Sequence, residues 1–334
     1  MFFDIHVKKD LDEFYNYRQE LKQLIESIKH NKIIVIKGLR RVGKTSLMSV
    51  AYNLIEGPKV FLDSRDFKDP FQLMNKAFIE IYSQIDPTKK IFEVLSVDIG
   101  PFTLKLSESE ISLSKIDKKL GQRKGIIFID EIQELEGLDK LIAYTYDHTK
   151  NIVFIISGSE IGVLDKLFLP DKPLFGRLSE IITLSPLPPN KSLNFLRLGF
   201  AQEGKEYNEV ELREAVKELD GLIGWLTYYG YLRRNYPHNK SLEILKKNAK
   251  LLITSELTKF LKKKKGEKAR YLLIVKALKE PKSWSEIKDY LEFKLKKKIS
   301  NARVHNYLEQ LIEFGFVVKD KEKYRLADPL LSLL

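Results

Sequence analysis

Residues 32–50 read KIIVIKGLRRVGKTSLMSV. An apolar run, Ile33 to Ile36, stops at Gly38, a basic loop follows, and Lys44-Thr45 opens a segment with helical spacing. Gly38-Leu39-Arg40-Arg41-Val42-Gly43-Lys44-Thr45 fits G-x-x-x-x-G-K-[ST], with a strand before it and a helix after it. In such a loop the backbone N–H groups and the start of the following helix form an anion nest, and glycines permit close approach. The pattern therefore predicts a phosphate loop whose nucleotide contacts are Gly38, Arg41, Val42, Gly43, Lys44, Thr45 and Ser46. Lys44 is expected to reach the β and γ phosphates, and the Thr45 hydroxyl to ligate Mg²⁺. Arg40 and Arg41 occupy variable loop positions that the nest does not need; at least one of their side chains is expected to touch a neighbouring domain.

A phosphate loop needs an acid at the end of another buried strand. KGIIFIDEIQEL is nearly all apolar until Asp130 and Glu131, as expected of a parallel strand covered on both faces. Asp130 is expected to hold Mg²⁺ through its water shell, and Glu131 to orient or deprotonate the attacking water. NIVFIISGS is a second such strand, ending in Ser157 and Ser159; these either contact the γ-phosphate or water, or make local hydrogen bonds. Arg177, in PLFGRLSE, is either the arginine that stabilises transition-state charge or a surface salt-bridge partner.

Working outward, KVFLDS and EIITLSPL read as further strands, and PFQLMNKAFIEIYSQI as a helix beginning at Pro70. SVDIGPFTLKLSESEISLS (96–114) alternates apolar and polar residues, predicting short antiparallel strands inserted in the core. Strands alternating with helices indicate a doubly wound α/β core over 1–187. After PLPPNK the pattern becomes helical, giving an all-α unit over 188–261. KKKKGEK (262–268) reads as a linker into a last unit, 262–334. There three helical segments, the third with Ser300 as N-cap, precede a hairpin pattern, FVVKDKEKYRLADP, which is the order of a winged helix.

Composition limits the function classes. The 334 residues include no Cys, which excludes a disulfide framework and a thiol nucleophile and fits a reducing, cytoplasmic setting. The first residues carry acids and lack the apolar run of a secretory signal, and no segment approaches the ~18 apolar residues of a spanning helix. The net charge of +12 is localised: residues 238–334 hold 24 Lys+Arg against 12 Asp+Glu, and the remainder holds 34 of each. A basic C-terminal module points to a polyanion, with double-stranded DNA the first candidate and a protein partner the other. In a winged helix the third helix commonly enters the major groove. Asn301, Arg303, His305 and Asn306 near the start of that helix, with Lys319, Lys321 and Lys323 on the wing, are the candidate DNA contacts.

GLRRVGKTSL, FIDEIQEL, IISGSEIGVL, PLFGR, LDGLIGWLTYYG and a closing YRLADPLL, in this order, resemble the archaeal ATPase family. That family is a branch of the signal-transducing (STAND) P-loop ATPases, related to AAA+ proteins. The resemblance spans essentially the whole chain. It implies an ATPase core, a helical lid and a winged helix, with ATP or ADP and Mg²⁺ bound, and a neighbour's arginine completing the site in some oligomeric relatives. It also implies that Tyr15–Leu21, including Tyr17 and Arg18, lie near adenine. Two departures stand out. Gly221-Leu-Ile-Gly224-Trp225 has Ile223 where the family has proline, and the Ser157-Gly-Ser159 end lacks the arginine of many STAND relatives, shifting that role to Arg177. The expected function is a slowly hydrolysing ATP-dependent switch. The alternatives are a replication-initiator-like DNA-binding ATPase and an ADP-holding interaction scaffold.

Overall fold

The first helix, α1 (Arg18–His30), leads into β1 (Ile33–Gly38), and α2 (Lys44–Leu54) starts at the lysine of the loop motif. In β1, Ile33 and Val35 enter the core on one side of the sheet, Ile34 and Ile36 that on the other. The computed structural model describes residues 1–87, 96–98, 110–264 and 266–334. β2 (Lys59–Asp63) and α3 (Pro70–Ile85) follow; Pro70 takes the first helical turn, where its missing N–H costs nothing, and Asp69 caps the helix by accepting from Phe71 N. Next come β3 (Ser96–Asp98), β4 (Glu110–Ser112), α4 (Leu113–Leu120), β5 (Gly125–Asp130), α5 (Leu138–His148), β6 (Ile152–Gly158), α6 (Ile161–Lys166) and β7 (Glu180–Leu184).

Five strands form one sheet in the order β2-β5-β6-β1-β7, all parallel. Every residue of β5 and β6 is buried, which is why both read as apolar runs until Asp130 and Ser157 at their carboxyl ends. The inserted strands differ from expectation: β3 pairs with β4 in parallel, not antiparallel. Alternation identifies a strand, whereas pairing direction depends on the connection between strands, and residues 99–109 lie outside the described residues.

The second half contains α7 (Pro189–Gln202), α8 (Glu209–Leu219), α9 (Ile223–Arg233) and the 25-residue α10 (His238–Lys262). Of the expected linker, residue 265 lies outside the described residues. The winged helix comprises α11 (Lys268–Ala277), β8 (Lys282–Ser283), α12 (Trp284–Leu295), α13 (Asn301–Glu313), β9 (Val317–Asp320) and β10 (Lys323–Leu326). β8, too short for its pattern to stand out in sequence, pairs with β10 and completes a three-stranded sheet. Ser300 occupies the N-cap position of α13, but its side chain makes no capping hydrogen bond there.

One core cluster covers the side of the sheet facing α3, α4 and α5. The other runs without interruption from the α1–α2 side through the helical unit into the winged helix, joining Leu47, Trp225, Phe260, Tyr307 and Leu331. Phe3 anchors the N-terminus in this second cluster, edge-on to Phe195 and Phe200 of α7. No helix among the described residues is long and apolar enough to cross a membrane.

Candidate nucleotide site

β1 and β5 are separated by β6, so the loop motif and the acidic strand end meet across one intervening strand. This is the carboxyl edge of a parallel sheet, where α/β folds place their ligands. Gly43 has φ +99°, a backbone conformation that favours glycine, and it turns the chain into α2. The Lys44 ammonium is buried and donates to the carbonyls of Gly38 and Leu39, both at 2.9 Å. Burial lowers the Lys44 pKa to about 8, opposed by the nearby Glu131 and Asp130. A buried cation answered by neutral carbonyls is complementary to a phosphate group.

The Thr45 hydroxyl donates to Asp130 Oδ2 at 2.6 Å, and the Ser157 hydroxyl, from β6, donates to Oδ1. These hard oxygens, brought together from α2, β5 and β6, are a donor set that fits Mg²⁺. Burial pushes the Asp130 carboxyl up, against the pull of the Ser157 and Thr45 hydrogen bonds. Glu131 has φ +50°, and its carboxylate accepts from Ser159 N (3.1 Å), Ser159 Oγ (3.0 Å) and Gln133 Nε2. Burial alone would raise its pKa. The Lys44 charge and the hydrogen bonds from Gln133 and Ser159 outweigh burial and keep Glu131 below the usual carboxylate range. Adjacent residues thus occupy different electrostatic environments.

A cleft of about 960 Å³ opens over these groups. Its walls include Gly43, Lys44, Thr45, Ser46, Glu131 and Ser159 from the core, Ile223 and Tyr228 from α9, and Glu256 and Lys259 from α10. Tyr17 lines it as expected, its hydroxyl donating to Ser185 O at 2.6 Å. Sequence reasoning missed the segment Asp4–Lys8, which lines the cleft and is tied to α2 by the Lys8 N–H donating to Ser46 Oγ. It also missed Arg65, just past the carboxyl end of β2; the basic residue following Asp63 at a strand end was the available signal.

Three expected contacts are corrected. Arg18 is exposed and donates to Leu11 O, bracing the entry to α1 outside the cleft. Gly38 and Val42 have backbone alone to offer the nest: a Cβ on Gly38 would stand 2.5 Å from Leu184 O, and the Val42 side chain is fully buried. Arg177 pairs with Asp147 at 2.9 and 2.8 Å. Ser179 N, two residues on, donates to the carbonyl of Ile33 at the start of β1, so Arg177 sits at the opposite edge of the sheet from the phosphate loop. It is no part of this chain's own cleft.

The third correction is Arg41, whose side chain turns from the nest. It donates to Glu256 of α10 at 2.6 Å and to Asp328 at 3.2 Å, and lies over the Trp225 ring at 4.5 Å. Trp225 Nε1 donates to the same Asp328 at 2.8 Å. Arg40 donates to Phe314 O at 2.7 Å, pairs with Glu160 at 3.4 Å and faces the Phe316 ring. Both loop arginines therefore bind the α10–winged-helix side, as expected of at least one. Although Ile223 replaces the family's proline, α9 still reaches the loop: Gly224 N donates to Arg41 O at 2.9 Å. The far end of α13 rests on the core at α6, where a Cβ on Gly162 would stand 2.7 Å from the Glu313 Cα.

This junction carries a pH dependence. Burial pushes the Asp328 carboxyl up against the pull of Arg41 and Trp225. The folded chain then binds a proton between the unfolded value of about 3.9 and the higher folded one. That contribution is complete below the unfolded value and is lost as pH rises through the folded one. The melting temperature of the wild type should therefore gain on that of Asp328→Asn as pH falls from neutral toward the carboxylate range, and a constant difference would contradict this.

Among solved structures, the Walker-type ATPase paby2304 of Pyrococcus abyssi is 29% identical, with TM-score 0.80 over 100% of this chain and 99% of that one. The ORC2 protein of Aeropyrum pernix, solved as ADPNP–ADP complexes, shares the fold at 12% identity and TM-score 0.65, over 99% and 95% of the two chains. No curated protein sequence matches. Residues 265–327 match the C-terminal winged helix-turn-helix domain of MCM proteins. Residues 14–229 match the model of an ATPase domain found predominantly in Archaea, and the chain belongs to that archaeal ATPase family.

Proposed function

We propose that this ATPase is a nucleotide-dependent switch in which ATP, held with Mg²⁺ in the cleft, sets the disposition of a DNA-binding winged helix. The observation that carries the reading is that the loop built for phosphate is also the loop whose two arginines hold Phe314, Glu256 and Asp328. Three units act together: a core over 1–187, a lid over 188–261 and a reader over 262–334. Lys44 and the backbone of the nest bind the phosphates, and Tyr17 and the Asp4–Lys8 segment border the base. Thr45 and Asp130 would hold Mg²⁺, which when bound neutralises phosphate charge. Glu131 orients a water and takes its proton as the water oxygen bonds to the γ phosphorus; the bond from that phosphorus to the bridging oxygen breaks, releasing ADP and phosphate. Ser159 holds Glu131 in position.

The docked end of α13 leaves its first turns free. Asn301, Arg303, His305 and Asn306 are exposed, as are Lys319, Lys321 and Lys323 on the wing. Asn301 accepts from Lys288, Asn306 accepts from Gln310, and His305 faces Glu309. Arg303 with the wing lysines is the group best suited to phosphate contacts.

Two measurements on the full chain test the reading. ATP turnover with and without duplex DNA, across protein concentrations, should change on DNA addition; absence of any nucleotide binding would sink the switch. Duplex affinity should fall steeply with salt, and replacing Arg303, Lys321 and Lys323 by Ala should flatten the log–log salt slope by about one for each phosphate no longer neutralised. No duplex binding at low salt would leave the winged helix as a protein-docking module.

A further inference from the structure

Hydrolysis of the kind proposed above develops negative charge on the transferring phosphoryl group, and an arginine commonly meets it. Among the described residues, three arginines line the cleft: Arg40, Arg41 and Arg65. Arg40 and Arg41 are committed elsewhere, their side chains only 20% and 12% exposed among Glu160, Glu256 and Asp328. Arg65 differs. Its side chain is 56% exposed, and its acidic partner is Asp63, two residues earlier on the same turn, to which Nε donates at 2.9 and 3.1 Å.

The placement of that turn is specific. Asp63 ends β2 and is the register partner of Asp130 on β5. The Ser64–Asp66 turn, capped by Asp63 accepting from Arg65 N at 2.9 Å, packs against the Ile132–Glu134 turn that follows Glu131. Arg65 is thus mounted one strand over from the acid pair, on a hydrogen-bonded turn that lines the cleft. After Asp63, the carboxylates its charge feels most are Glu131 and Asp130. A cation beside two such acids is offset by them at rest and available when phosphate arrives.

We propose that Arg65 is a catalytic residue of this ATPase, exchanging Asp63 for the transferring phosphoryl group and stabilising the charge that develops there. The inference rests on the hydrolytic reading above. As the water oxygen bonds to phosphorus and the bridging oxygen departs with ADP, the guanidinium faces the phosphoryl oxygens while Glu131 holds the water's proton.

The test uses the full chain as wild type, Arg65→Ala, Arg65→Lys, Asp63→Asn and Glu131→Gln. Arg65→Ala should lower kcat about 10²-fold, leave KM and ADP affinity near wild type, and weaken binding of ADP–aluminium fluoride by a similar factor. Arg65→Lys should recover part of both losses. Asp63→Asn should lower kcat far less than Arg65→Ala does, because the cation remains although its resting partner is weakened. Wild-type kcat in Arg65→Ala, while Glu131→Gln is inactive, would overturn the role of Arg65 and leave the hydrolytic reading standing. A fall in ADP affinity and melting temperature matching the loss of ADP–aluminium fluoride binding, shared by Asp63→Asn, would make the pair structural and also overturn it. Wild-type turnover no higher than that of Glu131→Gln would remove the hydrolytic reading, and the role of Arg65 with it.

Discussion

Glu131→Gln should lower ATP turnover about 10³-fold while leaving ATP binding intact. The substitution keeps the size of the side chain and an oxygen able to accept from Ser159, so the αL turn at Glu131 and its contact with β6 survive. What disappears is the carboxylate that the Lys44 charge and three hydrogen bonds hold ionised despite burial. An amide cannot take a proton from water, and removing a positioned general base costs between about 10² and 10⁴ in rate. Phosphate binding depends on Lys44 and the nest, which the change leaves alone. Steady-state turnover together with nucleotide affinity separates the two effects. Equal turnover in variant and wild type would remove Glu131 from the mechanism.

Arg41→Ala should destabilise the chain by about 3 kcal/mol, a large effect for one loop side chain. The guanidinium is nearly buried and serves two carboxylates and an indole at once, from α10, the segment after β10, and α9. Removing it leaves Asp328, 7% exposed, without its cation, while Glu256 keeps Arg40 at 3.8 Å. Orphaning a buried charge costs far more than the net worth of the pair. Adding Asp328→Asn to Arg41→Ala should therefore restore part of the loss, because the double variant no longer buries an unpaired carboxylate. Denaturant unfolding of the four chains measures the coupling. Strict additivity, or an Arg41→Ala chain as stable as wild type, would show that the arginine does not hold this junction.

Much of the core was legible because its signals are local. Ile33 to Ile36, Gly43, Lys44 and the IIFIDE run are each set by short-range requirements: a strand buried on both faces, a φ that favours glycine, an acid at a strand's carboxyl end. The pairing direction of β3 and β4, the existence of β8 and the silent cap at Ser300 were not legible, since each depends on what another segment offers. Arg177 illustrates the same limit. Its sequence neighbourhood is compatible with a catalytic role, but its location is set by which end of β1 it packs against.

By itself the sequence determined the phosphate loop, the acid pair, the order of the main strands and helices and the concentration of positive charge beyond residue 238, because composition and short periodic patterns encode them directly. Tertiary structure alone decided where the long side chains go. Arg40 and Arg41 find their partners more than 100 residues away in sequence, and Arg65 enters the cleft only because β2 is hydrogen-bonded beside β5. A flexible cation is directed by the carboxylates and rings that folding brings within reach, and those distances do not exist until the chain has closed around them.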